Sequence, residues 1–427
     1  MKKFLLSVVL SAALSFSAVA QYTDGIFVLN EGGIGKNNST VSFIVNDEVQ
    51  NDIFATANNN AILGDTGQSL TFKDDKAYVV LNYSNKVEIV NSTTFAKIAT
   101  IDTGMVNPRY IAFHGNKAYV TCWGVSDNEE DDYLAVIDLA TNTASTPIPL
   151  ANGVEKIITV GDKLYVAHQG GWGVNNLVSV VDTATNVVTT ITVGDVPNSL
   201  IEKDGSLYVL CGGNPGWVPG STQTGGKLVK INLADNTVAQ EIEFVATEHP
   251  SNLEVNGDNF YYTIGAGVYT KTITATTLPT TSFITVGAPG AYGVYGFDII
   301  DEKIYVGDAG DYATPGTAFV YSIEGALLDE YTVGVSPNGF YKSPESVNGI
   351  DDVNRLTVSV YPNPVSDVLY ITSDKQAAVK IFDVTGRVVA NELYTASGIN
   401  VSALPAGTYF AEITIENART VKQIVVQ

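Results

Sequence analysis

The sequence predicts an all-β chain: a seven-bladed β-propeller closed by a C-terminal strand, followed by a small β-sandwich domain. Two observations carry the first half of that expectation. One short strand, polar then apolar then aromatic then mostly Val, is written seven times: Gly25-Ile26-Phe27-Val28, Lys76-Ala77-Tyr78-Val79, Lys117-Ala118-Tyr119-Val120, Lys163-Leu164-Tyr165-Val166, Ser206-Leu207-Tyr208-Val209, Asn259-Phe260-Tyr261-Tyr262 and Lys303-Ile304-Tyr305-Val306. The aromatic positions are 41 to 53 residues apart, the period of a four-stranded blade. A third observation, the loss of that period beyond residue 342, separates the sandwich.

Taken in order, Met1 to Ala20 reads as a secretory signal, with Lys2-Lys3, an apolar run Phe4 to Ala13, and a small-residue cut between Ala20 and Gln21. The run is too short to span a bilayer. Gln21 in place of Cys speaks against a lipoprotein anchor. The propeller is expected over residues 21–342. Ahead of the later repeat strands lies another short strand, usually opened by Pro or Gly, as at Pro108, Pro197 and Pro250; behind them come a third strand, an Asp-x-x-Thr turn (Asp138 to Thr141, Asp182 to Thr185) and a fourth. The first repeat has no strand ahead of it, while Ser336-Pro337-Asn338-Gly339-Phe340-Tyr341-Lys342 is a strand of that type with no blade of its own. Pairing the two closes the ring and hides two edges. Residues 343–355 have linker composition, and residues 356–427 alternate apolar and polar as a small sandwich.

The formal net charge of −22 comes from 45 acidic against 23 basic residues. Such a surface repels phosphate backbones, so no nucleic-acid partner is expected. Cys122 and Cys211 occupy equivalent places two blades apart, with His168 at the same place between them. Two small buried thiols are expected; a disulfide, or a metal held with His168, are the alternatives.

Function is sought in the loops after the repeat strands, which share one face with the blade-to-blade links. All three tryptophans, Trp123, Trp172 and Trp217, sit in these glycine-rich loops. With Arg109, His168, Tyr292 and Tyr312 they form the predicted ligand platform. Each Trp can instead wedge between blades, and Arg109 can cap a carboxylate at the channel mouth. The acidic run around Asp127, Glu129 and Asp131 reads as a solvated loop with Ca²⁺ as the alternative; no cofactor is otherwise expected. Enzyme signatures are scarce, and a metal-dependent lactonase would have to use Asp65, Asp195, Asn198 or Asp308, which no spacing singles out.

The tail resembles the type A sorting domain of the type IX secretion system of Bacteroidetes, through Val360-Tyr361-Pro362-Asn363-Pro364, Ile381-Phe382-Asp383-Val384-Thr385-Gly386-Arg387, Leu404-Pro405-Ala406-Gly407-Thr408-Tyr409 and Lys422-Gln423-Ile424-Val425-Val426. The resemblance implies the secretion machinery as a partner and the cell surface or medium as destination. The propeller resembles a YncE-like family of Bacteroidetes surface propellers, through Gly25-Ile26-Phe27-Val28-Leu29-Asn30-Glu31-Gly32 and Lys117-Ala118-Tyr119-Val120-Thr121-Cys122-Trp123-Gly124. That resemblance implies capture of a small nutrient, cobalamin being the best single choice, for a TonB-dependent outer-membrane transporter; with enzyme signatures scarce, a non-enzymatic binding protein is expected, and a monomer. An adhesion propeller is the rival reading, a lactonase-type hydrolase the third.

Overall fold

Each repeat strand has almost every side chain buried, although strand side chains alternate in direction, because both faces of a blade are covered by neighbours. The alternation is therefore a division of labour. Tyr119 packs with Leu164 and Val166 of the next repeat, while Ala118, Val120 and Cys122 pack back against Tyr78 and Val80 of the previous one. The same division repeats around the molecule until Tyr305 packs on Ile26, Val28 and Phe340.

The computed structural model describes residues 21–125, 128–171, 173–217, 220–287, 293–344, 358–372, 377–395, 398–415 and 418–427. They fall into two compact units, Met1–Glu345 and Ser346–Gln427. In the first, seven four-layered antiparallel sheets (blades 1 to 7) each place a repeat strand second from the inside. Inner strands Gly67–Lys73, Pro108–His114, Val154–Val160, Pro197–Lys203, Ser251–Asn256, Gly296–Ile300 and Pro337–Lys342 follow one another in a closed circuit.

The last of these pairs antiparallel with Ile26–Asn30, Ile26 opposite Lys342 and Val28 opposite Phe340. Gly25 and Ser343 exchange hydrogen bonds beyond its end, the Ser343 N–H donating to the Gly25 carbonyl and the Gly25 N–H to Ser343 Oγ, both at 2.9 Å. Blade 1 is thus made from both ends of the unit, and the pairing covers the inner edge of Ile26–Asn30 and the facing edge of Pro337–Lys342.

Local chemistry explains the turns. Asp138 Oδ1 accepts from the Ala140 and Thr141 N–H groups, and Asp182 Oδ1 from those of Ala184 and Thr185, which fixes the Asp-x-x-Thr corners. Two details depart from the expected meander. The outer edge of blade 3 is broken into Thr143–Ala144 and Ile148–Pro149, with Pro147 between them unable to donate to the ladder. Between blades 1 and 2 a one-turn helix, Ile53–Ala57, tucks Ile53 and Phe54 into the core shared by those blades. Cys122 and Cys211 are free and buried in different inter-blade cores, and burial pushes both thiols up to about 12. The signal segment with Ala20, and residues 345–355 of the linker, lie outside the described residues.

The second unit is a sandwich of a three-stranded sheet and a four-stranded sheet around Leu369, Ile381, Ala411 and Ile424. Tyr361 stacks on Tyr370 at 5.8 Å. Between Pro362 and Pro364, Asn363 is bound at both ends of its amide, donating to the Gln423 carbonyl at 2.9 Å and accepting from the Val425 N–H at 2.8 Å. The sorting motif is thereby pinned to the last strand.

If closure holds the ring, Phe340→Ala should lower unfolding free energy by about 3 kcal/mol, read as a lower urea midpoint with an unchanged slope.

Candidate functional site

Six of the seven inner strands carry a register shift near their start, the exception being Gly296–Ile300. Across such a bulge more residues face fewer, which re-aims side chains that would otherwise alternate. In blades 3 and 4 the bulged pairs are Arg109-Tyr110 and Glu155-Lys156. Just ahead of five inner strands stands a residue with positive φ: Thr66, Asn107, Gly153, Val196 and Ser336. Its carbonyl accepts the backbone N–H of Asn82, Trp123, Gly170, Gly212 or Glu31, respectively, so the root of each loop is tied to the start of an inner strand.

At the mouth of the channel Glu155 takes Arg109 in a fork, with Nη2 to Oε1 at 2.7 Å and Nε to Oε2 at 3.0 Å. The guanidinium lies 4.0 Å above the Trp123 ring, and the indole N–H donates to the Val154 carbonyl at 2.7 Å. Arg109 and Trp123 are therefore positioned by the mouth itself: the arginine's fork is already filled, and the indole wedges between blades 3 and 4. Beside them Tyr295 donates to Glu31 and meets Tyr312 edge-on at 5.3 Å. Burial raises the Glu31 carboxyl, opposed by the Tyr295 hydrogen bond and by Arg109.

His168 is no part of this surface. It is fully buried, with Nε2 2.8 Å from Ser179 Oγ and Nδ1 3.2 Å from the Asn152 carbonyl, and burial lowers its pKa. The expectation that it contacts ligand is corrected: at the end of a repeat strand both faces are covered, so the imidazole satisfies the core instead. Trp217 does stand in solvent, at 86% exposure, and Tyr312 at 44%. Trp172, Tyr292 and Asp127 lie outside the described residues.

The residues considered for a metal hydrolase brace loops. Asp65 accepts from the Gly35 and Asn37 N–H groups, Asp195 from the Thr224 hydroxyl, Asp308 from the Gly310 N–H, and Asn198 donates to the Pro250 carbonyl. Asp131 accepts from the Val125 N–H of its own loop and Glu129 is exposed. Among the described residues no group of three His, Cys, Asp or Glu is placed to hold a metal ion.

Below the mouth, all seven inner strands wall a chamber of about 430 Å³. Lys156 of blade 4 enters it with its ammonium 4.4 Å from the centre of the Tyr110 ring. Glu254 of blade 6 and Asp298 of blade 7 enter it too. Asp298 Oδ2 accepts from the Phe340 N–H at 2.8 Å, and the Tyr341 hydroxyl accepts from the Leu70 N–H at 3.2 Å. Burial pushes Glu254 up to about 8, Asp298 adding to the shift and Lys156 opposing it. Burial likewise lifts Asp298 to about 7, against the Phe340 N–H and Lys156. For Lys156 burial works toward the neutral form, and Tyr110 with Asp298, Glu254 and Glu155 outweighs it, so the ammonium stays charged. Sequence reasoning missed all three. The available signal was two adjacent charges, Glu155-Lys156, inside the otherwise apolar opening of a strand due to lie at the centre.

A family model for the secretion system C-terminal sorting domain matches residues 359–427. One described as a domain of unknown function, DUF5074, matches residues 24–308. Among solved structures the chain is similar to a quinonprotein alcohol dehydrogenase-like protein from Bacteroides thetaiotaomicron, with 15% identity and a TM-score of 0.58 over 76% of this chain and 79% of that one. It is also similar to hydrazine synthase from Kuenenia stuttgartiensis, with 15% identity and a TM-score of 0.47 over 64% of this chain and 88% of that one. For BamB from Moraxella catarrhalis the values are 14% and 0.43, over 75% and 87%. No curated protein matches the chain. At such identities the first of these likenesses speaks for the fold alone, a propeller.

Two outcomes follow from the charges. Glu155→Ala leaves Arg109 buried and unpaired, and should cost about 3–5 kcal/mol in denaturant unfolding. Glu254 and Asp298 titrate higher folded than unfolded, so the native state holds extra protons between the two ranges. Their contribution is complete below about pH 4 and is lost as pH rises to about 8. Thermal melts from pH 5 to 8.5 should show a smaller decline for Glu254→Gln than for the parent.

Proposed function

Because the chain belongs to the DUF5074 family, whose description carries no activity, its role must come from its own residues, and we propose that it is a non-enzymatic propeller capturing a small ligand on its loop face. The sorting domain sends it through type IX secretion to the cell surface or the medium, in contact with that machinery. The observation that carries the ligand reading is the mouth. Arg109, Glu155 and Trp123 form a rigid floor, Tyr295 and Tyr312 a wall of aromatic edges, and Trp217 an exposed ring on the same face. Rigid aromatic groups around a concave opening lose little entropy on binding, which is what a capture site needs.

A corrinoid is the ligand to try first, in keeping with the resemblance to surface propellers that capture vitamin B12. It brings broad apolar faces for Trp217 and Tyr312 and a fringe of amides for Glu31 and the tyrosine hydroxyls. A TonB-dependent transporter would then be the receiving partner. Capture needs no bond-making, and among the described residues the loop carboxylates Asp65, Asp195 and Asp308 are already committed to bracing.

Titration with cobinamide and cobalamin should quench tryptophan emission saturably, and Trp217→Ala should weaken binding at least about tenfold, or 1.4 kcal/mol. Absence of both quenching and heat would sink the corrinoid reading. In a host with type IX secretion, a chain lacking residues 358–427 should stay behind the outer membrane, read by fractionation.

A further inference from the structure

We propose that the chamber beneath the mouth is a separate binding site for a small zwitterion carrying an ammonium and a carboxylate, with the carboxyls of Glu254 and Asp298 as the pole that takes the ammonium and Lys156 as the pole that takes the carboxylate. The poles come from different parts of the ring. Glu254 and Asp298 stand on the adjacent inner strands of blades 6 and 7, Lys156 on that of blade 4. Tyr110 lies beneath the ammonium and Tyr341 contributes a hydroxyl whose hydrogen is free of the Leu70 contact.

The groups are not already satisfied by one another. Lys156 acts on the two acids through space, without a hydrogen bond to either, and its near neighbour is an aromatic face. Glu254 receives no hydrogen bond, and Asp298 receives one, from a backbone N–H. Ionisable groups in a low-dielectric wall without hydrogen-bond partners are costly, and a purely structural role would be served better by closing them into an ion pair or replacing them with apolar side chains. All three keep partial exposure on the chamber, so its contents reach them. The space between the poles is what a ligand with complementary ends would fill: its ammonium against Glu254 and Asp298, its carboxylate against Lys156 and the Tyr341 hydroxyl. A volume of about 430 Å³ admits a molecule of amino-acid size and excludes a corrinoid.

The inference stands apart from the loop-face reading, and the two fail separately, since corrinoid quenching reports Trp217 whereas the chamber reports Lys156 and Glu254. The test is calorimetry on the full chain with glycine, leucine, lysine, 4-aminobutanoate and 5-aminopentanoate, which span the spacing of the two ends. Butylamine and butanoate serve as single-ended controls. At least one amino carboxylate should bind saturably, and the controls at least tenfold more weakly. Lys156→Met should weaken the amino carboxylate tenfold or more and leave butylamine at least as tight. Glu254→Gln, which keeps the shape of the wall, should weaken the amino carboxylate and butylamine together. Failure of every amino carboxylate to bind, equal binding of the controls, or binding indifferent to both substitutions would overturn the proposal.

Discussion

Everything in the ring hangs on one contact made seven times, the aromatic of a repeat strand seated against the apolar residues of the next blade's repeat, which are small or branched in six cases and Phe260 with Tyr262 in the seventh. A strand between two neighbours has no polar face to spare, so it must read as nearly continuous apolar sequence. The contact is directional, and a directional contact around a circle needs its last donor to find its first acceptor. Tyr305 does so only because Phe340 and Val28 lie opposite one another across the strand pair that completes blade 1. Closure is thus a packing condition as well as a hydrogen-bonding one.

With the repeat strands locked, the inner strands are left crowded at one end and free at the axis. Their bulges let neighbouring residues on one strand serve different levels: Arg109 and Glu155 at the mouth, Tyr110 and Lys156 one residue deeper. The two levels handle charge in opposite ways. At the mouth a cation and an anion are joined in a fork under an indole, which trades reactivity for rigidity. In the chamber like charges share one side and the opposite charge stands away from them, so the acids sit near neutrality in their titration. Acidic residues outnumber basic ones almost two to one over the chain, which makes a charged lysine at the axis the more telling.

Some of the site was legible in the sequence and some was not, for identifiable reasons. The sequence offers Arg109 as a cap on a carboxylate at the channel mouth, and the structure places it there; its partner Glu155 is not legible, because the two are 46 residues apart and meet only across adjacent blades. Trp123, Trp217 and Tyr312 are legible as loop aromatics, and the structure shows Trp123 under the Arg109 guanidinium and the other two exposed. His168 was misread, since a histidine following Ala167 looks like the first loop residue until Ser179 is seen opposite its ring. Asp65, Asp195 and Asp308, which no spacing singles out in the sequence, are spent on backbone N–H groups and a hydroxyl.

The sequence by itself determined the blade period, the turns, the strand that closes the ring and the sorting sandwich, because each rests on short-range patterning: alternation, Asp-x-x-Thr hydrogen bonds, Pro at strand starts, a change of period. Tertiary structure alone decided which polar residues face the axis and which are consumed. A bulge of one residue changes which way a side chain points, and a hydrogen bond between blades changes whether it is available. Neither is written in the composition of any one strand, so Lys156, Glu254 and Asp298 came together only when the circle was drawn.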